Sequence, residues 1–230
     1  MKLGSTLMIS IIIPIWNEES VLIKNEDYFL RLARVAELIF VDGGSQDRSR
    51  ELAGRYGRVV QSPKGRSVQM NAGARLASHE ILFFLHADCR IDPQDLPKVA
   101  EAISKGILAG CFIQRIDHPD FIFRWIAWTG NWRARWLKIF YGDQGLFVRR
   151  DKFWEAGGYL PVTLGEDVLL SKKLRAMGLT RPIPCRIDCS ARRWLQNGII
   201  RTFLLNLRIT WFLLKGNDPQ PLASFYADIR

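Results

Sequence analysis

The sequence predicts an α/β protein built on a mostly parallel, Rossmann-like sheet flanked by helices. Three observations carry that expectation. Short apolar runs rich in branched and aromatic side chains occupy 8–15, 37–41 and 81–85, as expected of strands buried on both faces. Segments of helical length separate them, and a β-α-β-α order favours parallel pairing with right-handed crossovers. Each run stops abruptly on polar residues: Trp16-Asn17-Glu18-Glu19, Asp42-Gly43-Gly44-Ser45-Gln46-Asp47 and His86-Ala87-Asp88. The carboxyl ends of such strands open on the crevice where open α/β sheets bind ligands. Carboxylates delivered there by three strands predict a site for a metal and a polar, anionic ligand.

The elements follow in order. Strand 9–14 leads into a helix over 18–36, and strand 37–42 into a helix over 47–56 that Ser45 or Asp47 could cap. A short strand at 58–61 precedes Lys64-Gly65-Arg66 and a helix over 67–77. Strand 81–85 is followed by a helix over 93–105. The second half is less regular. A strand at 109–116 runs into the aromatic segment 121–140. A turn and strand span 142–148, Gly165-Glu166-Asp167 opens a helix to Met177, and Gly178 closes it. A last strand is expected at 180–187, then Arg192-Arg193-Trp194, an apolar helix over 199–215 and a polar tail with Pro219 and Pro221. Residues 1–198 read as one domain, and 199–230 as a helix and tail that pack on it, dimerise or lie on a membrane.

Length and composition narrow the function. A chain of 230 residues, 48% hydrophobic, builds one sizeable core. The net charge of +10 suits an anionic membrane surface or a phosphorylated substrate. Nucleic acid is not expected as a partner, because Lys and Arg are scattered and no nucleic-acid-reading module is present. The four cysteines, Cys89, Cys111, Cys185 and Cys189, lack paired zinc spacing and read as reduced thiols of a cytoplasmic protein. Lys2 with the apolar run behind it is read as the first core strand rather than a signal peptide, since Pro14 interrupts it and no small-residue cleavage site follows. No stretch reaches the roughly 20 uncharged apolar residues of a spanning helix. The dinucleotide fingerprint and the P-loop motif are both missing.

Five pieces, in order, resemble family 2 glycosyltransferases of the GT-A fold. They are Ser10-Ile11-Ile12-Ile13-Pro14-Ile15-Trp16-Asn17-Glu18, Val41-Asp42-Gly43-Gly44-Ser45-Gln46-Asp47, Asn71-Ala72-Gly73-Ala74-Arg75, Leu85-His86-Ala87-Asp88 and Gly165-Glu166-Asp167. The resemblance implies a nucleotide-diphosphate sugar donor, UDP-sugar favoured, and a divalent cofactor, Mn²⁺ or Mg²⁺. It assigns the donor to Pro14, Asn17, Glu18, Asp42, Lys64, Arg66, Asn71 and Asp88, with Asp42 receiving the base and Lys64 and Arg66 approaching the diphosphate. Lys64 and Arg66 read equally as solvated loop cations. Asp88 would hold the metal, and oxygen ligands suit these hard cations. His86 stands where relatives carry the first acid of Asp-x-Asp, as a second metal ligand or as a hydrogen-bonded structural residue.

Asp167, with Glu166 as the alternative, would be the general base of an inverting transfer; the competing reading is a helix start favoured by the macrodipole. Arg193 and Trp194 resemble the acceptor-side Gln-x-x-Arg-Trp of processive relatives. Ser190 replaces the Gln, which implies single-sugar transfer. The acceptor would be a hydroxyl, on a lipid-like molecule if the last helix lies on a membrane. Other readings are a sugar-phosphate nucleotidyltransferase, which lacks its Gly-rich loop here, and a non-catalytic nucleotide-binding or membrane scaffold. Trp125, Trp128, Trp132 and Trp136 recur at helical spacing. Core packing is the expected use of that face, and an acceptor platform or membrane contact the other. Peripheral association with the inner membrane face and a homodimer are further expectations.

Overall fold

The computed structural model describes residues 9–162 and 164–217. Met8, Lys2 and the tail with Pro219 and Pro221 lie outside the described residues. The three apolar runs form β1 (Ile9–Ile15), β2 (Glu37–Asp42) and β4 (Ile81–Phe84), and β3 is Arg58–Gln61. These four strands are parallel, with β1 between β2 and β4 and β3 outside β2. The near-continuous burial of β1, β2 and β4 explains their lack of alternation, because helices cover both faces of such a sheet. β8 (Leu146–Arg149) adds antiparallel to β4, and β6 (Ala109–Gly110) closes the sheet. The chain runs outward from β1 to β2 to β3 and returns on the far side of β1 as β4. That reversal makes a crevice between the carboxyl ends of β1 and β4.

Register determines what reaches the crevice. Ile15 pairs with Asp42, Ile12 pairs with Phe84, and the Leu85 N–H donates to the Ile12 carbonyl at 3.0 Å. Thus Trp16–Glu18 and His86–Asp88 emerge side by side. A second, three-stranded sheet lies beyond them, with β9 (Arg186–Ser190) between β5 (Cys89–Ile91) and β7 (Ile113–Asp117).

Several expectations are corrected. The helix over 18–36 is two, α1 (Glu19–Lys24) and α2 (Glu26–Leu32), broken at Asn25, which leaves helical geometry; Asn favours such breaks by competing for backbone hydrogen bonds. The strand at 109–116 divides between the two sheets at Cys111-Phe112, where the Phe112 N–H donates to the Gln144 carbonyl. The last strand begins at Arg186 instead of Thr180, since Pro182 and Pro184 supply no ladder donors. Neither Ser45 nor Asp47 is the N-cap of α3 (Ser49–Ala53), although Asp47 Oδ1 accepts from the Ser49 N–H at 2.9 Å. Helices α4 (Arg66–Leu76) and α5 (Leu96–Ser104) match the expected positions, while α7 (Arg150–Glu155) and α9 (Arg192–Asn197) are too short to leave a periodic signal.

The tryptophan helix is α6 (Phe121–Leu137), and it reverses the expected packing. Phe123, Ile126, Ala127, Gly130 and Ala134 face inward, while Trp125, Trp128, Trp132 and Trp136 are exposed. The last helix, α10 (Ile199–Leu214), buries Thr202, Ile209, Thr210 and Leu213. It packs beside α8 (Glu166–Met177) in a cluster of Ile139, Leu164, Val168, Ile209 and Leu213. No helix among the described residues is long and apolar enough to cross a membrane.

Gly165 makes that docking possible. Its φ is +73°, and a Cβ there would lie 2.2 Å from Leu213 Cδ1. Gly165→Ala combines left-handed strain with overpacking, so it should cost about 2 kcal/mol or more in urea unfolding. Shortening Leu213 to Ala in the same chain should recover part of that loss. Wild-type stability in Gly165→Ala would contradict the close approach.

Candidate active site

The crevice is a cavity of about 450 Å³. Its floor is the end of β1 (Pro14 to Glu18) and the residues after β4 (His86 to Asp88). Lys64 and Arg66 stand at the start of α4, and the turn Tyr141–Asp143 and the α8 start supply another wall. Arg192, Arg193 and Trp194 of α9 and Thr202, Asn206 and Thr210 of α10 close it. Of the predicted site residues, Pro14, Asn17, Glu18, Lys64, Arg66, His86, Asp88, Glu166, Asp167, Arg193 and Trp194 all line this one cavity. Asp42 and Asn71 do not.

Asp42 is only 1% exposed. Its Oδ1 accepts from the Ser45 N–H at 3.1 Å and the Ser45 hydroxyl at 2.5 Å, so it shapes the loop after β2. The loop in turn grips the end of β1. Ser45 Oγ accepts from the Asn17 N–H at 2.9 Å, and Asn17 Oδ1 accepts from the Gln46 N–H at 2.8 Å. Asn17 has a φ of 53°, a left-handed conformation that Asn tolerates. Asn71 is engaged elsewhere. Its side-chain amide donates to the Tyr159 carbonyl at 2.7 Å and accepts from the Tyr159 N–H at 3.0 Å. These two bonds tie α4 to the backbone at Tyr159.

Charge alternates along the cavity. Lys64 Nζ sits 3.2 Å from the centre of the Trp16 ring, an arrangement that orients the ammonium. The Arg66 guanidinium lies 3.9 Å from Glu166, which is buried. One Arg192 nitrogen donates to both carboxylate oxygens of Glu18, at 3.0 and 3.1 Å, and stands 4.0 Å from Asp88 Oδ2. Burial raises the Glu18 pKa against the pull of Arg192. His86, Asp88 and Cys89 bring potential ligand atoms within 4.8 Å of one another. The hydrogen bond with Cys189 and burial push the Cys89 thiol well above its usual pKa, while His86 and Asp88 supply the nitrogen and oxygen donors that suit a hard or borderline divalent cation.

Asp167 opens α8. Its Oδ2 accepts from the Gly142 N–H at 2.8 Å and its Oδ1 from the Val168 N–H at 2.7 Å. These bonds orient the carboxylate toward the turn that holds His86. A Cβ on Gly142 would lie 2.7 Å from His86 Nε2 and 3.9 Å from Asp167 Oδ2, so both side chains converge on that glycine. Glu166 points to Arg66, leaving Asp167 as the residue of the pair seated at the Gly142 turn.

Three contributors escaped sequence reasoning, and a fourth, Arg192, enters it only as one of two arginines that could close over the phosphates or be solvated. Gln69 donates to the carbonyls of Ile15 and Val41 at 2.9 and 2.8 Å, finishing the ends of β1 and β2. The Tyr141 hydroxyl bonds Thr210 Oγ1 and donates to the Asn206 carbonyl at 3.2 Å, tying α10 to the site. Asp143 and Arg192 bring further charge. A lone Gln on a helix carries no signal, but the acid in Gly142-Asp143-Gln144 and the first Arg of Arg192-Arg193-Trp194 stood inside stretches already singled out.

Burial raises the Asp143 pKa, opposed by Arg133 and Arg193 and reinforced by Asp167. The unfolded carboxyl ionises near 3.8, so as pH rises past that value the unfolded chain releases a proton that the folded chain retains. Asp143 therefore lowers stability as pH rises, until the folded group also ionises. The Tm of Asp143→Asn relative to wild type should rise as pH increases past about 4. A Tm difference independent of pH would contradict this assignment.

Comparison with known proteins agrees with this arrangement. Residues 10–157 match the sequence model of Glycosyl transferase family 2. The chain is 31% identical over 112 residues to the undecaprenyl-phosphate 4-deoxy-4-formamido-L-arabinose transferase of Pseudomonas aeruginosa strain LESB58, covering 43% of this chain and 33% of that protein. The protein of that name from Pectobacterium atrosepticum is 29% identical over 133 residues, with 52% and 40% covered. The chain thus spans well under half of the length of these relatives. Among solved structures, the mannosyltransferase PcManGT of Pyrobaculum calidifontis, in complex with GDP-Man and Mn²⁺, superimposes with a TM-score of 0.61 at 19% identity, over 80% of this chain and 57% of that one. S. aureus TarS 1–349 in complex with UDP gives 0.62 at 14%, over 80% and 60%. Likeness at such identities establishes a shared GT-A architecture. The family match covers the strands and loops that build the cavity floor, and the chain belongs to glycosyl transferase family 2.

Proposed function

We propose that the chain transfers one sugar from a nucleotide-diphosphate donor, a UDP-sugar by preference, to a hydroxyl on a lipid-like acceptor, with inversion. The observation that carries this reading is the convergence of Asp88, Lys64, Arg66 and Asp167 on one cavity at the β1–β4 reversal. Asn17, Glu18 and the main chain at the end of β1 would take the base, with acceptors for an imino donor. Lys64 and Arg66 would face the diphosphate as a point charge and a planar fork. The names of the curated relatives, which pair a sugar with undecaprenyl phosphate, and the seating of α10 along the cavity support a lipid-like acceptor and work at a membrane surface on its cytoplasmic side.

The residues present suit a divalent cation. One carboxylate and one imidazole form a donor set that takes Mn²⁺ more readily than Mg²⁺. Asp88 would hold the ion with His86 beside it. When bound, the ion supplies Lewis-acid stabilisation of the charge on the departing diphosphate. Asp167 would take the acceptor's proton as the new oxygen–carbon bond forms at the anomeric carbon and the bond to the diphosphate breaks. The Gly142 N–H holds one of its oxygens in place for that task. Arg193 and Trp194 would border the acceptor.

A melting panel of UDP-, GDP- and TDP-sugars, with and without Mn²⁺, tests the donor. A bound donor at about 100 times its Kd adds roughly 2.7 kcal/mol of stability, so a UDP-sugar with Mn²⁺ should give the largest rise in Tm. Asp88→Ala should abolish the metal-dependent part of that rise. Asp167→Asn should keep it while turnover falls by about 10²- to 10⁴-fold. Full turnover in Asp167→Asn would overturn the base assignment, and no metal-dependent shift with any nucleotide would overturn the reading itself.

A further inference from the structure

α6 and α10 meet where the Trp125 and Phe203 rings approach to 4.9 Å and Phe203 packs against the cluster that holds Phe123, Ile126 and Ala127. Together they expose an apolar surface that the fold leaves uncovered among the described residues. On α6, Trp128 and Trp136 are 62% and 63% exposed, and Trp125 and Trp132 continue the row. On α10, Ile200, Leu204, Leu207 and Trp211 recur at steps of four, three and four residues and share one face. This face is nearly opposite the one that carries Thr202, Asn206 and Thr210 into the cavity. One helix therefore has its inner side at the active site and its outer side in this patch.

The charges around the patch have one sign. Neither helix contains an acidic residue. Arg124, Arg135, Arg201, Arg208 and Lys215 are exposed beside the apolar rows, and Lys215 Nζ lies 3.9 Å from the centre of the Trp211 ring. The acid nearest in sequence, Asp120, precedes α6 and sits 3.5 Å from His118. Tryptophan beside arginine suits the headgroup layer of a bilayer, where rings enter the interface and cations meet anionic lipid. A second copy of the chain would instead set these arginines against themselves with no acid on either helix to answer them, which costs affinity. Nucleic acid would leave the aliphatic rows of α10 in water.

We propose that the outer faces of α6 and α10 form a docking surface for an anionic bilayer, holding the cavity wall made by α10 at the membrane. The proposal deepens the lipid-like acceptor reading, but the docking itself requires no donor and no turnover, so each can fail without the other. The test is flotation of the full chain with phosphatidylcholine vesicles, with and without phosphatidylglycerol, at low and high salt. Wild type should float with the anionic vesicles only, and less at high salt. Replacing Arg124, Arg201 and Arg208 by Gln should weaken partitioning about a hundredfold, since each cation near such a surface contributes about fivefold. Replacing Trp128, Trp132 and Trp211 by Ser should weaken it by about tenfold or more. Both triple variants should keep the wild-type melt and its shift with a UDP-sugar. Should either variant fail to fold, brominated lipids supply the readout on wild type, whose tryptophan fluorescence they should quench. Absence of flotation, absence of quenching, or unchanged binding by folded variants would overturn the proposal. A dimer in sedimentation velocity that the Trp variant abolishes would overturn it in favour of a second copy.

Discussion

The parallel pairing of β1 with β2 on one side and β4 on the other is the constraint on which the rest of the structure depends. It is set by buried apolar residues with no polar alternative. A slip of one residue would turn Ile11 and Ile13 to the opposite face and move Asn17 and Asp88 out of step. With Ile15 opposite Asp42 and Ile12 opposite Phe84, the loops after these strands meet. Gln69 then finishes two of the strand ends, and the Asp42–Ser45–Asn17 chain locks the loops together. The cavity is the space left between the loops.

A second layer of organisation comes from the far end of the chain. Gly165 lets α10 approach the start of α8 more closely than any residue with a Cβ would allow. That approach places Asn206 and Thr210 against Tyr141, one residue before the Gly142 N–H that holds Asp167. A helix that first reads as an appendage therefore belongs to the wall of the site. Its position couples the carboxylate best placed to accept a proton to a surface of opposite character, apolar and cationic, on the outer side of the same helix.

Much of this was legible in the residues, for physical reasons. Strands buried on both faces announce themselves as uninterrupted apolar runs, and polar residues at their carboxyl ends have one place to go. Asp88, Glu18, Lys64, Arg66 and Asp167 were readable on that ground together with motif order. Asp42 and Asn71 were not: a carboxylate or amide can serve a ligand or satisfy its own backbone, and the sequence alone does not distinguish the two. The same limit hid Gln69. The orientation of α6 was misread because periodicity shows that tryptophans share a face but not whether that face meets the core; Gly130 and Ala134, the small residues that pack inward, were the available sign. The break between β6 and β7 depends on pairing with residues far along the chain, which no local pattern records.

The proposed function requires a diphosphate-bound metal where β4 ends. The electron paramagnetic resonance of Mn²⁺ with the protein and UDP measures this directly. UDP and protein together should bind Mn²⁺, nitrogen coupling from His86 should appear in the spectrum and disappear in His86→Gln, and Asp88→Asn should prevent the ternary complex. An unchanged Mn²⁺ spectrum on adding protein and UDP, or a ternary complex that survives Asp88→Asn intact, would contradict it.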